Sequence, residues 1–597
     1  MKILVLAVFC FCFAMSVAAQ NSKPTVADAE MFMQKAEARL ADMNVKANQA
    51  NWVHENFITD DTEALAADVN DEQIAATTEL IEQAKRFEGL QMPAELARKF
   101  ILLKLSLVAP GPHDPALRKE MSQVAVSLES DYGKGKYCDK SGKCLDITAI
   151  EKEMGENRDP ERLKELWVGW HAVGAPMRKK YGRFVELSNQ GARDLGFKDT
   201  GVLWRAGYDM PPEKFGADVD RLWEQVRPLY LALYTFVRAR LSEKYGSQVV
   251  PPDGPMRADL LGNPWAQEWG NIFPLMGLPE NSRGYDLTEL LRAKSLDAHG
   301  MVKYGENFYK SLGFDPLPNT FWERSLFVKP ADREVVCHAS AWDIDNKDDI
   351  RIKMCIQVRD EDFVTIHHEL GHNFYQRAYK NQPYLFINGA NDGFHEAIGD
   401  TIALAITPEY LKEIGLLEKL PPAEADIPIL LKQALNSVAF LPFGVMIDKW
   451  RWGVFSGDIK PENYNKAWWD LRLKYQGVVP PVERSESDFD PGAKFHVPGN
   501  TPYMRYFLAR IYQFQFYRAL CRESGFQGPL NRCTYFGSKQ AGAKLNKMLE
   551  MGQSRPWPDA MEALTGEREG DAGAILEYFA PLKKWLDEQN KGLKAGW

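Results

Sequence analysis

Apolar residues recur every three or four positions over long stretches of the chain. Between residues 25 and 107 the spacing is illustrated by Ile74, Leu80, Ile81, Ala84 and Phe87, in a background rich in Ala, Glu, Lys and Leu. This period places apolar side chains on one face of an α-helix. It returns in residues 162–195, 215–245, 427–443, 464–475, 503–520 and 574–589. The pattern predicts a mainly α fold.

The pattern changes once, near the middle of the chain. Residues 334–342 and 350–358 alternate or are rich in β-branched side chains, and the polar residues 345–349 separate them. This arrangement predicts a β-hairpin, the minor sheet of the fold. A strand of such a hairpin can pair with an extended peptide.

The segment that follows the hairpin carries a metal-binding pattern. Residues 368–372 read His-Glu-Leu-Gly-His in a proline-free run with helical spacing. His368 and His372 therefore project from one helix face, as half of a zinc site. Glu369 follows His368 directly and lies beside it on the helix, where it can act as general base on a water molecule. The short motif alone also arises by chance on surface helices.

A catalytic zinc site needs a third protein ligand and an open fourth position. The best candidate is Glu396, which a helical segment places on one face with Asp400. Asp400 would accept a hydrogen bond from a ligand imidazole and fix its tautomer. The alternative is an ordinary solvated acidic face. Together the two segments predict a zinc site of His368, His372 and Glu396.

Length and composition indicate one large unit. The 597 residues would allow about four domains. There is, however, no repeat, low-complexity tract or Ser/Gly-rich linker, and the Pro/Gly clusters are short enough to be loops. We therefore predict a single, bilobed catalytic domain over residues 20–597.

Residues 1–19 have the pattern of a secretory signal peptide. Lys2 precedes an apolar run over residues 3–14, and small residues precede Gln20. No later run approaches 18 uninterrupted apolar residues, so we expect no membrane anchor. The chain has no Asn-x-Ser/Thr site, which favours a bacterial setting. The predicted location is secreted or periplasmic.

Six cysteines follow the signal segment. Their even number, their short separations and an oxidising compartment favour local disulfides over a cysteine metal site. The predicted pairs are Cys138–Cys144, Cys337–Cys355 and Cys521–Cys533.

The net charge of −9 comes without any basic run or basic-aromatic patch. Nucleic acid is therefore an unfavourable partner. The acidity otherwise says nothing about the substrate.

Five segments resemble the angiotensin-converting enzyme family of peptidyl dipeptidases, which are zinc metallopeptidases. They are residues 337–343, 367–372, 389–400, 490–496 and 503–507. The likeness covers nearly all of the chain after the signal, and the three cysteine pairs match the family's disulfides. The resemblance implies a deep central groove, with N-terminal helices at about residues 20–110 as a lid.

The resemblance also assigns groups that spacing cannot choose. It implies that His496 and Tyr506 bind and protonate around the tetrahedral intermediate, with His496 as proton donor. Read without the family, they are a packed histidine and a core tyrosine. His338 would hold a substrate carbonyl, and the backbones of Ala339 and Ala341 would pair with the peptide.

Three further positions match the family's clamp on the carboxylate at the end of the substrate. They are Gln267, Lys494 and Tyr503. The family's monocarboxypeptidase branch has an arginine at the position of Gln267. Glutamine therefore implies release of dipeptides from oligopeptides with a free C-terminus.

The chain departs from the family at positions that bind chloride, a family activator. At the first site Trp468 and Arg472 match, but His171 replaces an arginine. This replacement puts the first site in doubt.

At the second chloride site Tyr208 and Arg505 match, but Asp392 stands where the dipeptidase branch commonly has proline. Asp392 either supplies the negative charge in place of chloride, because two anions would repel in one pocket, or is a plain turn residue before Gly393. We therefore expect Zn²⁺ as a cofactor, and chloride only if one of these two sites binds it.

The sequence thus predicts a zinc-dependent peptidyl dipeptidase. The alternatives are a zinc endo-oligopeptidase, a monocarboxypeptidase and a catalytically silent peptide-binding protein. Loss of a ligand or of Glu369 would mark the silent protein, and all are present. The physiological peptide and the oligomeric state stay open.

Overall fold

The computed structural model describes residues 23–278, 284–333 and 335–597. Helices make up 64% of it and strands 3%, so the predicted mainly α class is confirmed. The predicted signal segment and residue 334, the start of the predicted hairpin, lie outside the described residues. The helices are α1 Val26–Asn56, α2 Asp60–Ala84, α3 Ala94–Leu105, α4 Pro115–Gly133, α5 Ile147–Glu156, α6 Pro160–His171, α7 Arg178–Asp194, α8 Thr200–Ala206, α9 Pro212–Tyr245, α10 Leu287–Ala293, α11 Ala298–Leu312, α12 Asn319–Arg324, α13 Asp360–Tyr379, α14 Asp392–Leu404, α15 Pro408–Glu413, α16 Asp426–Ser456, α17 Tyr464–Gln476, α18 Met504–Glu523, α19 Lys539–Leu549, α20 Trp557–Thr565, α21 Gly573–Tyr578 and α22 Ala580–Gln589.

Within the described ranges the strands form three two-stranded sheets. The strands are β1 Tyr137–Cys138, β2 Cys144–Leu145, β3 Met256–Arg257, β4 Ser340–Asp343, β5 Ile350–Lys353 and β6 Val478–Val479. β1 pairs with β2 and β4 with β5, both antiparallel, whereas β3 and β6 are parallel. In the predicted hairpin Ser340 faces Lys353 and Asp343 faces Ile350. Both paired strands are shorter than the apolar pattern suggested, since residues 335–339 before β4 and residues 354–357 after β5 lie outside the ladder.

Two hydrophobic clusters organise the interior. The main one extends from α4 to α22 and includes the fully buried Trp167, Trp269 and Trp450. A smaller cluster is formed by α1, α2 and α3, with Phe32 and Leu103 among its members. The N-terminal helices thus have apolar packing of their own.

The three predicted disulfides are confirmed. The S–S bonds join Cys138 to Cys144, Cys337 to Cys355 and Cys521 to Cys533. The second of these bonds links the segments next to β4 and β5 directly before α13. It thereby fixes the hairpin beside the helix of the metal motif.

One helix among the described residues is long and apolar enough to cross a membrane, at residues 423–456. Its most apolar window has a mean hydropathy of 1.4. That window is 78% buried inside the protein. Such burial is typical of a helix at the centre of a globular core.

Candidate metal and peptide site

Two glycines let the helices of the metal motifs cross in close contact. A Cβ built on Gly371 of α13 would lie 2.8 Å from Cα of Gly399 in α14. One built on Gly399 would lie 2.7 Å from His368 Nδ1. Because neither glycine has a side chain, the two backbones can approach until their polar side chains converge.

His368, His372 and Glu396 converge at this crossing, with one ligand atom of each within 4.8 Å of the others. The Nε2 atoms of the histidines are 3.1 Å apart, and His368 Nε2 is 3.8 Å from Glu396 Oε2. Zinc bonds of about 2.0–2.1 Å place tetrahedral ligand atoms roughly 3.4 Å apart. The donor types and the separations therefore fit Zn²⁺.

The Asp400 carboxylate lies directly behind His368. His368 Nδ1 is 3.0 Å from Asp400 Oδ1, and Arg510 donates to Asp400 Oδ2 at 2.8 Å. Burial by itself would lower the pKa of His368, but the hydrogen bond and the charge of Asp400 raise it to about 9. Asp400 therefore orients the His368 ring and leaves its Nε2 facing His372 and Glu396.

Glu369 is 7% exposed and lies beside the three ligands. Burial is the main influence on the pKa of Glu369 and raises it, whereas His368, His338 and Lys353 lower it. A buried carboxylate with a raised pKa is a competent proton acceptor.

His395 belongs to the same site, although no spacing signal in the sequence marks it. Its Nδ1 lies 3.3 Å from His372 Nδ1, and its Nε2 lies 3.1 Å from the Tyr379 hydroxyl. Burial lowers the pKa of His395 to about 4, so its ring is neutral. When His372 binds a metal through Nε2, its Nδ1–H donates to His395, whose Nε2–H donates to Tyr379.

The edge of the hairpin is open beside these groups. Among the described residues no second strand lies on the other edge of β4, although the Asp343 carbonyl accepts from Asn48 Nδ2 at 2.8 Å and the Ala339 carbonyl lies 2.9 Å from His338 Nδ1. Ala339 and Ala341 are half-buried on this segment, and the side chain of His338 is exposed. An unpaired edge is the arrangement that β-addition of a peptide requires.

Two tyrosines surround His496. Its ring centroid lies 4.7 Å from that of Tyr503 and 5.6 Å from that of Tyr506, both roughly perpendicular. Burial, with the charge of Lys494 next, lowers the pKa of His496 to about 2. The imidazole is therefore neutral and offers one N–H donor.

Gln267, Lys494 and Tyr503 also lie together. Lys494 Nζ donates to Gln267 Oε1 at 2.5 Å and lies 4.2 Å from the Trp265 ring and 5.7 Å from the Tyr503 ring. Burial lowers the pKa of Lys494 to about 8. A buried cation with an amide and a hydroxyl beside it is suited to grip a carboxylate.

The turn that carries Gln267 is strained. Ala266 has φ 51°, in the left-handed region that favours glycine. Gln476 donates to its carbonyl at 3.1 Å and Trp269 at 3.2 Å. These bonds hold a conformation that aims Gln267 at Lys494.

At the first expected chloride position, Trp468 and Arg472 are both 3% exposed. Arg472 Nη1 donates to the Trp265 carbonyl at 2.8 Å, but its Nε and Nη2 are buried without a hydrogen-bond partner. His171 stacks on Trp167, and burial lowers the pKa of His171 to about 4. The histidine is neutral and does not replace the charge of an arginine.

At the second expected chloride position, Asp392 Oδ2 lies 3.3 Å from Arg505 Nε, an ion pair in which the buried Nε makes no aligned hydrogen bond. Tyr208 forms a hydrogen bond with Asp392. Burial raises the pKa of Tyr208, and the charge and the hydrogen bond of Asp392 raise it further. The Arg505 guanidinium thus already has a carboxylate beside it. Asp392 is also the first residue of α14, so the two interpretations of this residue are compatible.

A cavity of about 650 Å³ lies between the N-terminal helices and the main body. Leu40, Asn44 and Thr77 line it from α1 and α2, and Asp392 and Arg505 line it from the main body. It therefore separates the N-terminal helices from the helices that carry the metal motif.

Comparison with known proteins gives a consistent result along the whole described chain. The family model Peptidase_M2, described as angiotensin-converting enzyme, matches residues 23–597. Angiotensin-converting enzyme of Rattus norvegicus is 41% identical over 97% of this chain, which spans 45% of that relative. Those of Theromyzon tessulatum and Haematobia irritans exigua are 41% and 37% identical, and 90% and 93% of their lengths are matched. The chain thus spans about half the length of the mammalian relatives that it matches.

Proposed function

Because this chain belongs to the angiotensin-converting enzyme family, we propose that it is a zinc peptidyl dipeptidase that removes dipeptides from the free carboxyl ends of oligopeptides. The observation that carries the proposal is the convergence of His368, His372 and Glu396, with Glu369 buried beside them. When bound there, Zn²⁺ polarises the scissile carbonyl and makes water acidic near neutral pH.

The protein's own groups divide the remaining work. Glu369 takes the proton of the attacking water, which burial and the raised pKa favour. The N–H of neutral His496 and the hydroxyl of Tyr506 donate to the oxyanion that forms at the carbonyl carbon. The resemblance makes His496 the proton donor, but its ring is already neutral, so Glu369 would pass the proton it took from the water to the leaving amine while His496 keeps its N–H on the oxyanion. His338, Ala339 and Ala341 align the peptide on the edge of β4.

The clamp decides where the peptide is cut. Gln267, Lys494 and Tyr503 hold the terminal carboxylate, and the distance from the clamp to the metal triad sets the length of the product. We infer that α1 to α3 form the lid of a groove that includes the 650 Å³ cavity, so that only slender oligopeptides enter.

The three disulfides support a secreted or periplasmic location.

Product analysis tests this function. A free-acid octapeptide is incubated with the zinc-loaded protein, and mass spectrometry follows the fragments with and without a chelator. We expect successive losses of two residues from the C-terminus, and no loss when the metal is removed. The matched substrate is the same peptide with an amidated C-terminus, which the clamp should hold poorly.

The other outcomes identify the alternatives. Loss of single residues would indicate a monocarboxypeptidase, and equal cleavage of the amidated peptide an endo-oligopeptidase. Binding without any product would indicate a silent peptide-binding protein. Each of these results rejects the dipeptidase proposal.

We also propose that the two anion positions differ. Arg472 has two buried N–H donors without a partner, which supports an anion there in spite of the neutral His171. At Arg505 the carboxylate of Asp392 supplies the negative charge. Chloride would then act through Arg472 alone.

A chloride titration at fixed ionic strength separates the two positions. We expect activation of less than about fivefold in the wild type, because the charge at Arg505 is already balanced. Asp392→Asn should lower the activity without chloride and increase the activation by chloride, because it frees Arg505 for the ion. Glu424→Gln, which changes an acidic residue outside the site, serves as the control. Many-fold activation of the wild type, or no change in Asp392→Asn, would reject the substitution.

A further inference from the structure

A buried ammonium group lies behind the open strand. Lys353, the last residue of β5, is 0% exposed. Its Nζ donates to the Val336 carbonyl at 2.6 Å and to the His338 carbonyl at 2.8 Å, and it forms an ion pair with Glu55 at 3.0 Å. A lysine ammonium has three donor protons, and these three acceptors satisfy them all.

Glu55 lies in the last turn of α1, and this helix contacts the strand segment at several places, among them the Trp52 ring against that of Trp342 at 5.5 Å. The Val336 amide donates to the Glu55 carbonyl at 2.9 Å. Asn48 Nδ2 donates to the Asp343 carbonyl at 2.8 Å, at the far end of β4. The N-terminal helix therefore spans the strand segment that would pair with substrate.

The other side of the hairpin is fixed to the metal helix without the help of α1. Asn373, next to His372, is fully buried and donates to the carbonyls of Arg351 at 3.2 Å and Trp342 at 3.4 Å. The disulfide between Cys337 and Cys355 also joins the two hairpin segments. The hairpin thus keeps two anchors that do not involve Lys353.

We propose that Lys353 is a positioning residue that couples the N-terminal helices to the peptide-pairing strand. With Glu55 in place, the ammonium turns the carbonyls of residues 336 and 338 inward. This orientation fixes how the side chain of His338 and the backbone beyond it face the groove. When α1 moves away, the ammonium loses one of its three acceptors and the strand loses its alignment, so closure over a peptide and formation of its pairing edge occur together.

This inference rests on the proposed function for its substrate, but its mechanical part can be measured without turnover. The variants are Lys353→Met, Glu55→Gln and the double variant. Lys544→Met is the matched control, because Lys544 also forms an ion pair between two segments, with Glu523 at 2.9 Å, but away from the hairpin. The readouts are KM and kcat for an oligopeptide, bound zinc, and amide hydrogen exchange.

Each single variant is expected to raise KM roughly tenfold, which is the effect of losing one hydrogen bond to a charged group, and to keep kcat within about twofold of the wild type. Exchange at residues 335–343 should become faster, while residues 366–372 and the zinc content stay unchanged. Because both residues act through one contact, the double variant should be no worse than Lys353→Met. The control should match the wild type in every readout.

Three results would overturn the coupling. They are additive effects of the two substitutions, unchanged exchange at residues 335–343, and faster exchange throughout the protein, which would make Lys353 a general stabiliser. If the wild type cleaves no peptide, the proposed function fails instead, and the exchange data still decide whether Lys353 links α1 to the strand.

Discussion

Replacing Glu369 by glutamine is expected to lower kcat by about 10²- to 10⁴-fold, the range that a positioned general base contributes. The amide has nearly the shape of the carboxylate but cannot accept the proton of the attacking water. Zinc should stay bound, because His368, His372 and Glu396 are unchanged. The measurement pairs steady-state kinetics of dipeptide release with metal analysis of the same preparation.

The control for this substitution is Glu361→Gln in the first turn of the same helix. The side chain of Glu361 is 77% exposed, so its loss should leave kcat and zinc unchanged. Turnover of Glu369→Gln close to that of the wild type would refute the assignment of the base. A fall in activity together with loss of zinc would show that Glu369 maintains the metal site instead.

Replacing Lys494 by methionine is expected to have the second large effect. Removing one partner of a buried, hydrogen-bonded charge pair costs about 2–5 kcal/mol, which is roughly 30- to 5,000-fold in kcat/KM. The loss should appear mainly as a higher KM for free-acid peptides, because the proposed contact of Lys494 is with the terminal carboxylate. It is measured by comparing a free-acid peptide with its amide, which the substitution should barely affect.

Lys466→Met is the matched control, since Lys466 pairs with Asp470 on the surface and its side chain is 69% exposed. An equal loss for the amide and the acid would mean that Lys494 supports the fold rather than the clamp. A free-acid peptide that is cleaved normally by Lys494→Met would place the carboxylate elsewhere.

The parts of the site that lie on one helix follow from the sequence alone. Helical geometry brings residues four positions apart onto the same face, so the spacing of His368 and His372 determined their convergence, as it did for Glu396 and Asp400. The disulfide pairs could also be predicted from the sequence, because the two cysteines of each pair are separated by few residues. The chain's hydrophobic period identified the mainly α class.

Contacts between distant segments could not be predicted in this way. Neither the approach of His395 to His372 nor the burial of Lys353 between Glu55 and the hairpin has a periodic signal. The left-handed conformation of Ala266 is held by Gln476 and Trp269, and propensity would not assign it to an alanine. Such features depend on the packing of the whole chain.

The crossing at Gly371 and Gly399 has a consequence for how this protein can change through mutation. A methyl group at position 371 would push the two backbones apart and move Glu396 away from the imidazoles, and one at position 399 would clash with the ring of His368. Neither α13 nor α14 can therefore shift alone to accommodate an ion of a different size. The two halves of the metal centre can be inherited or redesigned only as a matched pair.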